Sequence, residues 1–184
     1  MPPKAKLTKE SIKAGAMALV RERGMGGLTA KALAAKLKCS TQPIFWVFEN
    51  MEEVRRAVKE EAMKVFGEYL REPQEGASAY LSVGLNYIRF AAKEKEFFKI
   101  LFMSEGGEDI LHAHEEMPYV LNVIESTENI SGQDAQNIYE EMWMLSHGIA
   151  TMIATGTAQF TDERIRRILH DVYSGIVQNV RKRK

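Results

Sequence analysis

The stretch TAKALAAKLKCSTQPIFWVFEN, residues 29–50, decides how this chain is read. It holds two short helical patterns about a tight break. Ala30, Leu33, Ala34 and Leu37 recur at helical spacing and make one apolar face. Ile44, Val47 and Phe48 do the same one turn further on. Lys38-Cys39-Ser40 between them is too short for anything but a turn. Ser40 is a suitable N-cap whose hydroxyl accepts from the Gln42 N–H. Pro43 then falls in the first helical turn, where its missing N–H has no intrahelical partner to lose. Two short helices crossing at a tight turn over a shared apolar seam make a helix-turn-helix. With Ile44, Val47 and Phe48 turned inward, Thr41, Gln42, Phe45 and Trp46 turn outward. Two large aromatics beside Thr and Gln on an exposed face call for a partner surface, and a nucleic-acid groove supplies one.

Composition narrows the class. With 184 residues the chain makes one domain or two small ones, long enough to bury a sizeable core. Its 45% hydrophobic and 27% charged fractions are those of an ordinary globular protein. A single cysteine excludes a disulfide framework or Cys-based zinc site and suits a reducing compartment. No secretory segment follows Met1 and no apolar run is long enough to span a bilayer, so a cytoplasmic location without membrane contact is expected. Net charge is zero but unevenly spread. Residues 1–50 carry 9 Lys and Arg against 3 Asp and Glu, whereas residues 51–180 carry 12 against 22. The tail Arg181-Lys182-Arg183-Lys184 restores the balance. A basic stretch coinciding with the helix-turn-helix is the footprint of phosphate contact.

In chain order, Thr8 caps a helix over about residues 9–23, with Ile12, Ala16, Leu19 and Val20 buried and Gly24 ending it. Met25-Gly26-Gly27 reads as a flexible link, and Thr29 caps the next helix. Asn50 and Glu53 form a capping box opening a long helix over about residues 51–70. Val54, Val58, Ala62, Val65, Phe66 and Tyr69 line its inner side. Only Glu49 and Asn50 separate it from the second short helix. After the break at residues 71–76, a helix over about 77–95 shows Leu81, Leu85, Ile88 and Ala92 in one stripe. Residues 97–103 are short and very apolar, 104–118 irregular, and a further helix covers about 119–127. The last two helices run from Ser131 or Gly132 to about Thr155, and onward from the cap at Thr161. In the final helix Ile165, Ile168, Leu169, Val172, Tyr173, Ile176, Val177 and Val180 follow steps of three and four, as a core or an oligomer seam does. The expected fold is all-α: a three-helix helix-turn-helix domain over residues 1–49, then a helical bundle over 50–184.

The order Thr29, Ala34, Leu37, Ser40, then Ile44-Phe45-Trp46-Val47-Phe48, then Glu52-Glu53-Val54 resembles the N-terminal domain of TetR-type transcriptional repressors. The helical remainder is similar to their ligand-binding and dimerisation domain. Trp143-Met144-Leu145-Ser146-His147-Gly148 resembles the Trp…His-Gly signature of one C-terminal subgroup. The resemblance implies a ligand-responsive homodimer that is released from a palindromic DNA operator by a small apolar or aromatic effector. Lys38 and Cys39 stand where the family has Gly and an aliphatic residue, Phe45 where it has Tyr, and Trp46 where His or Tyr is commoner. Met51 stands where the family has Lys, leaving helix N–H groups as the phosphate donors there. The expected DNA-contacting residues are Thr29, Lys31, Lys36, Lys38, Ser40, Thr41, Gln42, Pro43, Phe45 and Trp46. The lysines meet phosphates, which position without reading sequence. Gln42 suits adenine and Thr41 a thymine methyl.

A second site is read from composition. Phe90, Phe98, Phe102, Met103, Met117, Tyr119, Trp143 and Met144 are its expected apolar lining, with Tyr87 and His147 as polar anchors. The acidic balance of residues 51–180 weakly favours a cationic effector over an anionic one. Ile165, Ile168, Leu169, Val172, Tyr173 and Ile176 are the expected dimer seam. No cofactor is implied. His112, His114, Glu115 and Glu116 imitate metal-ligand spacing without a fourth paired ligand, so no metal is expected. The competing reading is an enzyme using His112, His114 or His147 with carboxylates as acid and base, but no nucleophile motif, phosphate loop or metal set accompanies them.

Overall fold

The computed structural model describes residues 7–103 and 115–183, and every regular element among them is helical. In chain order these are α1 (Lys9–Arg23), a 3-10 turn (Met25–Gly27), α2 (Ala30–Lys36), α3 (Gln42–Phe45) and α4 (Met51–Arg71). There follow α5 (Ala79–Lys93), α6 (Lys95–Phe102), α7 (Met117–Glu128), α8 (Gln133–Thr155) and α9 (Asp162–Lys182). None of these helices is long and apolar enough to cross a membrane. The chain packs as two compact units, the first holding described residues 7–65 and 94–103, the second 66–93 and 115–183. The sequence reading divides the chain after residue 49. The packing boundary falls within α4, because Val54, Val58 and Ala62 are buried and Lys13 of α1 reaches Glu61 at 2.7 Å.

In the first unit, Thr8 accepts from the Ser11 N–H at 3.2 Å and the Ser11 hydroxyl accepts from the Thr8 N–H at 3.0 Å, a reciprocal cap. Ile12, Ala16, Leu19 and Val20 are buried as their spacing predicts. Gly24 has φ 68°, and a Cβ there would stand 2.7 Å from a Glu96 carboxylate oxygen. The expected flexible link is instead a closed turn. Gly27 donates to the Gly24 carbonyl and Leu28 to that of Met25, both at 3.1 Å, which seats Leu28 in the core. The apolar run forms α6 up to Phe102, with Met103 as its C-cap, and its Phe97, Phe98, Ile100 and Phe102 are buried. Arg21 fixes this helix to α1, pairing with Glu94 at 2.8 Å and lying over the Phe97 ring.

In the second unit the stripe expected on α5 is displaced. Ala92 is exposed and Leu81 and Leu85 are half-buried, while Tyr80, Val83, Tyr87, Ile88, Phe90 and Ala91 are buried. The helix packs on α7, α8 and α9, so its buried face is wider than one stripe. Asn86, fully buried, pins the chain before α5: its amide donates to the Glu72 carbonyl at 2.5 Å and accepts from Gln74 at 2.6 Å. The final helix is capped by Thr161, which accepts from the Arg164 N–H at 3.3 Å. Its apolar stripe divides in two. Ile165, Leu169, Val177 and Val180 are buried within the chain itself. Ile168 and Ile176 are half-buried and Val172 is exposed. Ile165 and Leu169 are therefore not open to a partner, because helical rotation sets them one side over from 168, 172 and 176.

Candidate nucleic-acid interface and aromatic cleft

Thr29 caps α2, accepting from the Ala32 N–H at 3.2 Å. Leu33 and Ala34 bury its inner face. The helix then ends on a residue that normally avoids the task. Lys38 sits at φ 54°, in the left-handed region. Its N–H donates to the Ala35 carbonyl at 3.2 Å and the Cys39 N–H to that of Ala34 at 3.0 Å. That pair of bonds is a Schellman ending, in which the left-handed position is usually glycine. Lysine there costs about 1–3 kcal/mol of backbone strain. The unusual residue at position 38 therefore keeps the tight turn and adds a cation to it.

The expected Ser40 cap does not form. Thr41 is already helical, at φ −71° and ψ −27°, and α3 starts without a side-chain cap. The Gln42 N–H that was to donate to Ser40 is present, but with Thr41 at helical φ and ψ the helix start lies one residue later than the Ser40 cap requires. The Ile44 N–H is taken instead by the Thr41 carbonyl at 3.1 Å. Helix α3 is a single turn whose Ile44 is buried and whose C-terminal neighbour Phe48 is buried with it. Opposite them, Thr41 and Gln42 are exposed, Phe45 is 41% exposed and Trp46 is 73% exposed. Pro43 is half-buried, and Lys31, Lys36 and Ser40 are exposed. Lys36 pairs with Glu22, a contact that a phosphate would displace. The first turn of α4 differs from the expected phosphate donor. Asn50 accepts from the Glu53 N–H at 3.0 Å, and Glu53 reaches back to the Glu49 N–H at 2.7 Å. Its own carboxylates already occupy that end of the helix and would repel a phosphate.

The second unit contains a cleft of about 60 Å³. Leu70 in the last turn of α4, Val120 of α7 and Leu169 of α9 give it an apolar wall. Its aromatic lining is Tyr80 and Tyr87 from α5, Tyr139 and Trp143 from α8, and Tyr173 from α9. The Tyr80 and Tyr173 rings stack at 4.2 Å, and Tyr173 donates to Glu128 at 3.0 Å. Tyr87 shares a hydrogen bond of 3.0 Å with His147 Nδ1, and the His147 ring lies flat on Trp143 at 4.6 Å. Burial holds the His147 pKa below the ordinary imidazole value. Burial also pushes the Tyr80 and Tyr87 phenols well up, and raises Tyr173 too, with help from its bond to Glu128. These phenols are neutral hydrogen-bonding groups across the physiological range.

Of the ten residues expected at this site, Tyr87 and Trp143 line the cleft, and His147 stands behind them. Phe90 packs into the core against Phe66 and Tyr69 at 5.2 and 5.5 Å. Phe98 and Phe102 are buried in the first unit. Met103 and Met144 are exposed. Met117 is half-buried. Tyr119 carries Arg71 over its ring at 4.6 Å. A composition-based choice gathers apolar residues without knowing which helices converge. It missed Tyr80, Tyr139, Tyr173 and Ser146. A spacing signal existed: 80 and 87, and 139, 143 and 146, each fall on one helical face.

His112 and His114 lie outside the described residues. Among the described residues no group of three or more His, Cys, Asp or Glu side chains gathers to hold a metal. No protein-family model matches the chain, and no curated protein is significantly similar to it.

Proposed function

We propose that the protein is a DNA-binding transcription regulator of TetR type, acting as a homodimer on a palindromic operator and released by a small effector bound in the aromatic cleft. The observation that carries this reading is the outward set Thr41, Gln42, Phe45 and Trp46 on a one-turn helix. A helix of one turn gains little stability of its own. It holds its place through Ile44 and Phe48, and its other face presents two rings and two hydrogen-bonding side chains to solvent. Those groups suit base edges and sugar in a major groove. Thr29, Lys31, Lys36, Lys38 and Ser40 flank them as backbone contacts, with Pro43 packing on methyls.

Dimerisation is supported by an exposed apolar face in the second unit. Met144, Gly148 and Met152 follow one another at four-residue intervals on the outside of α8, and Ile168, Val172 and Ile176 do so on α9. An added Cβ at Gly148 or Gly175 would meet nothing within 4 Å. Paired with its own copy, such a face makes an isologous four-helix seam. Switching is supported by continuity. Only Glu49, Asn50 and the three residues closing α3 precede α4, and Leu70 in the last turn of α4 lines the cleft. An effector preferring a state with misplaced half-sites would release DNA, with a coupling of about 1–3 kcal/mol.

The test is titration of duplex DNA across ionic strength. Binding should weaken steeply and linearly on a log–log plot, because lysine and arginine contacts release counterions. Salt-independent binding, or none, would contradict the proposal.

A further inference from the structure

We propose that the cleft of the second unit takes an uncharged, single-ring aromatic molecule bearing one hydrogen-bond acceptor, and that the Trp143 indole N–H is the group that meets it. This rests on the reading of the cleft as the effector site. The Trp143 indole nitrogen is buried and has no hydrogen-bond partner, on a side chain that lines the cleft. A buried donor left unmatched is disfavoured, and an acceptor brought by a ligand recovers the lost bond.

The rest of the lining fixes the class. Among the described residues, no Asp, Glu, Lys or Arg lines the cleft. The carboxylate that accepts from the Tyr173 hydroxyl is Glu128, which is paired with Arg181 at 2.9 Å. His170, the imidazole among the described lining residues, is exposed and stands 3.3 Å from Asp171. A ligand carrying a full charge would thus surrender its hydration with no opposite charge to meet it. This overrides the weak preference for a cation drawn from the acidic balance of the chain, since those carboxylates do not line the cleft. The tyrosines are held protonated by burial, so they offer hydroxyls and ring faces rather than phenolates. The Tyr80–Tyr173 stack and the edge-on Tyr87–Trp143 pair present π surfaces, which favour another ring. The enclosed volume, about 60 Å³, exceeds that of a water site, for which about 10–15 Å³ suffices, but falls short of the cavity of about 150 Å³ that takes a benzene ring. A single ring therefore sits partly in the open mouth of the cleft, and a fused polycycle would lie mostly outside it.

Four probes of similar size separate the terms: acetophenone, ethylbenzene, benzoate and phenyltrimethylammonium. The readout is the pair of tryptophan indole peaks in a proton–nitrogen correlation spectrum of the full chain, with Trp46→Phe assigning them. Acetophenone is expected to move the Trp143 peak and leave the Trp46 peak in place. Ethylbenzene should bind about tenfold more weakly for want of the acceptor, and both charged probes should bind more weakly still. In Trp143→Phe the advantage of acetophenone over ethylbenzene should vanish. The proposal is overturned if a charged probe binds as tightly as acetophenone. It is equally overturned if acetophenone binds without moving the Trp143 peak, or if no probe binds by about 1 mM. Since no DNA is present, failure here leaves the DNA-binding reading standing, and loss of DNA binding would not alter this titration.

Discussion

Aromatic side chains are used in opposite ways in the two units. In the first, Phe45 and Trp46 stand out from a one-turn helix into solvent, held only by the burial of Ile44 and Phe48 behind them. In the second, Tyr80, Tyr87, Tyr139, Trp143 and Tyr173 turn inward around a space they do not fill. An exposed ring adds nothing to folding and keeps its full contact area for a partner. An inward ring stabilises the fold, and the space it leaves determines what enters. On the proposed reading, the same residue types serve a surface for a large partner in one place and a hole for a small ligand in the other.

The sharpest way to break this contrast is to remove one ring of each kind. Phe66→Ala, in the core against Tyr87 and Phe90, should cost about 3–5 kcal/mol of stability in denaturant titration. Trp46→Ala should change stability by no more than about 0.5 kcal/mol while abolishing tight DNA binding. Similar losses from both would erase the distinction. A step smaller is Val172→Asp. Its site is exposed in the single chain, so the subunit should fold, but a charge at the proposed seam should weaken dimerisation by at least about a hundredfold in sedimentation. An unchanged dimer would move the seam elsewhere.

Lys38→Gly concerns the turn that presents α3. Relief of about 1–3 kcal/mol of left-handed strain, less the roughly 0.5–1 kcal/mol that glycine's freer unfolded chain costs, should raise stability, and loss of the cation should weaken binding to all duplexes alike. The smallest effect concerns the cleft. The folded His147 pKa lies below its unfolded value, so the folded state resists the proton. Its contribution is constant above about pH 6.5. Stability then falls as pH drops through that value and levels off below the folded pKa. His147→Gln should flatten part of that slope in melting temperatures measured between neutral and mildly acidic pH.

The legible and illegible parts of the chain differ for a physical reason. Thr8, Thr29, Asn50 and Thr161 announce helix starts because a cap acts on backbone two or three residues away. The outward set on α3 follows from Ile44 and Phe48 by rotation alone. The Ser40 cap does not form because the backbone is already helical at Thr41, which moves the start of α3 one residue on. The turn over Lys38-Cys39-Ser40 is legible from its length, but its left-handed geometry is not, since lysine seldom takes that backbone. The cleft depends on where α5, α7, α8 and α9 converge, so hydrophobicity placed Phe98 and Phe102 in it although both are core of the other unit. The stripe of α9 was read correctly as apolar, but which half faces inward is decided by α5 and α8.

The central claim is that α3 reads DNA sequence, and one experiment addresses it: selection from randomised duplexes by the wild-type protein and by Gln42→Ala side by side. The account predicts that the wild type enriches a palindrome, and that Gln42→Ala loses preference at one symmetric position, by about 1–3 kcal/mol, while retaining the rest. A wild type that enriches no sequence, or a Gln42→Ala protein with an unchanged preference, would contradict it.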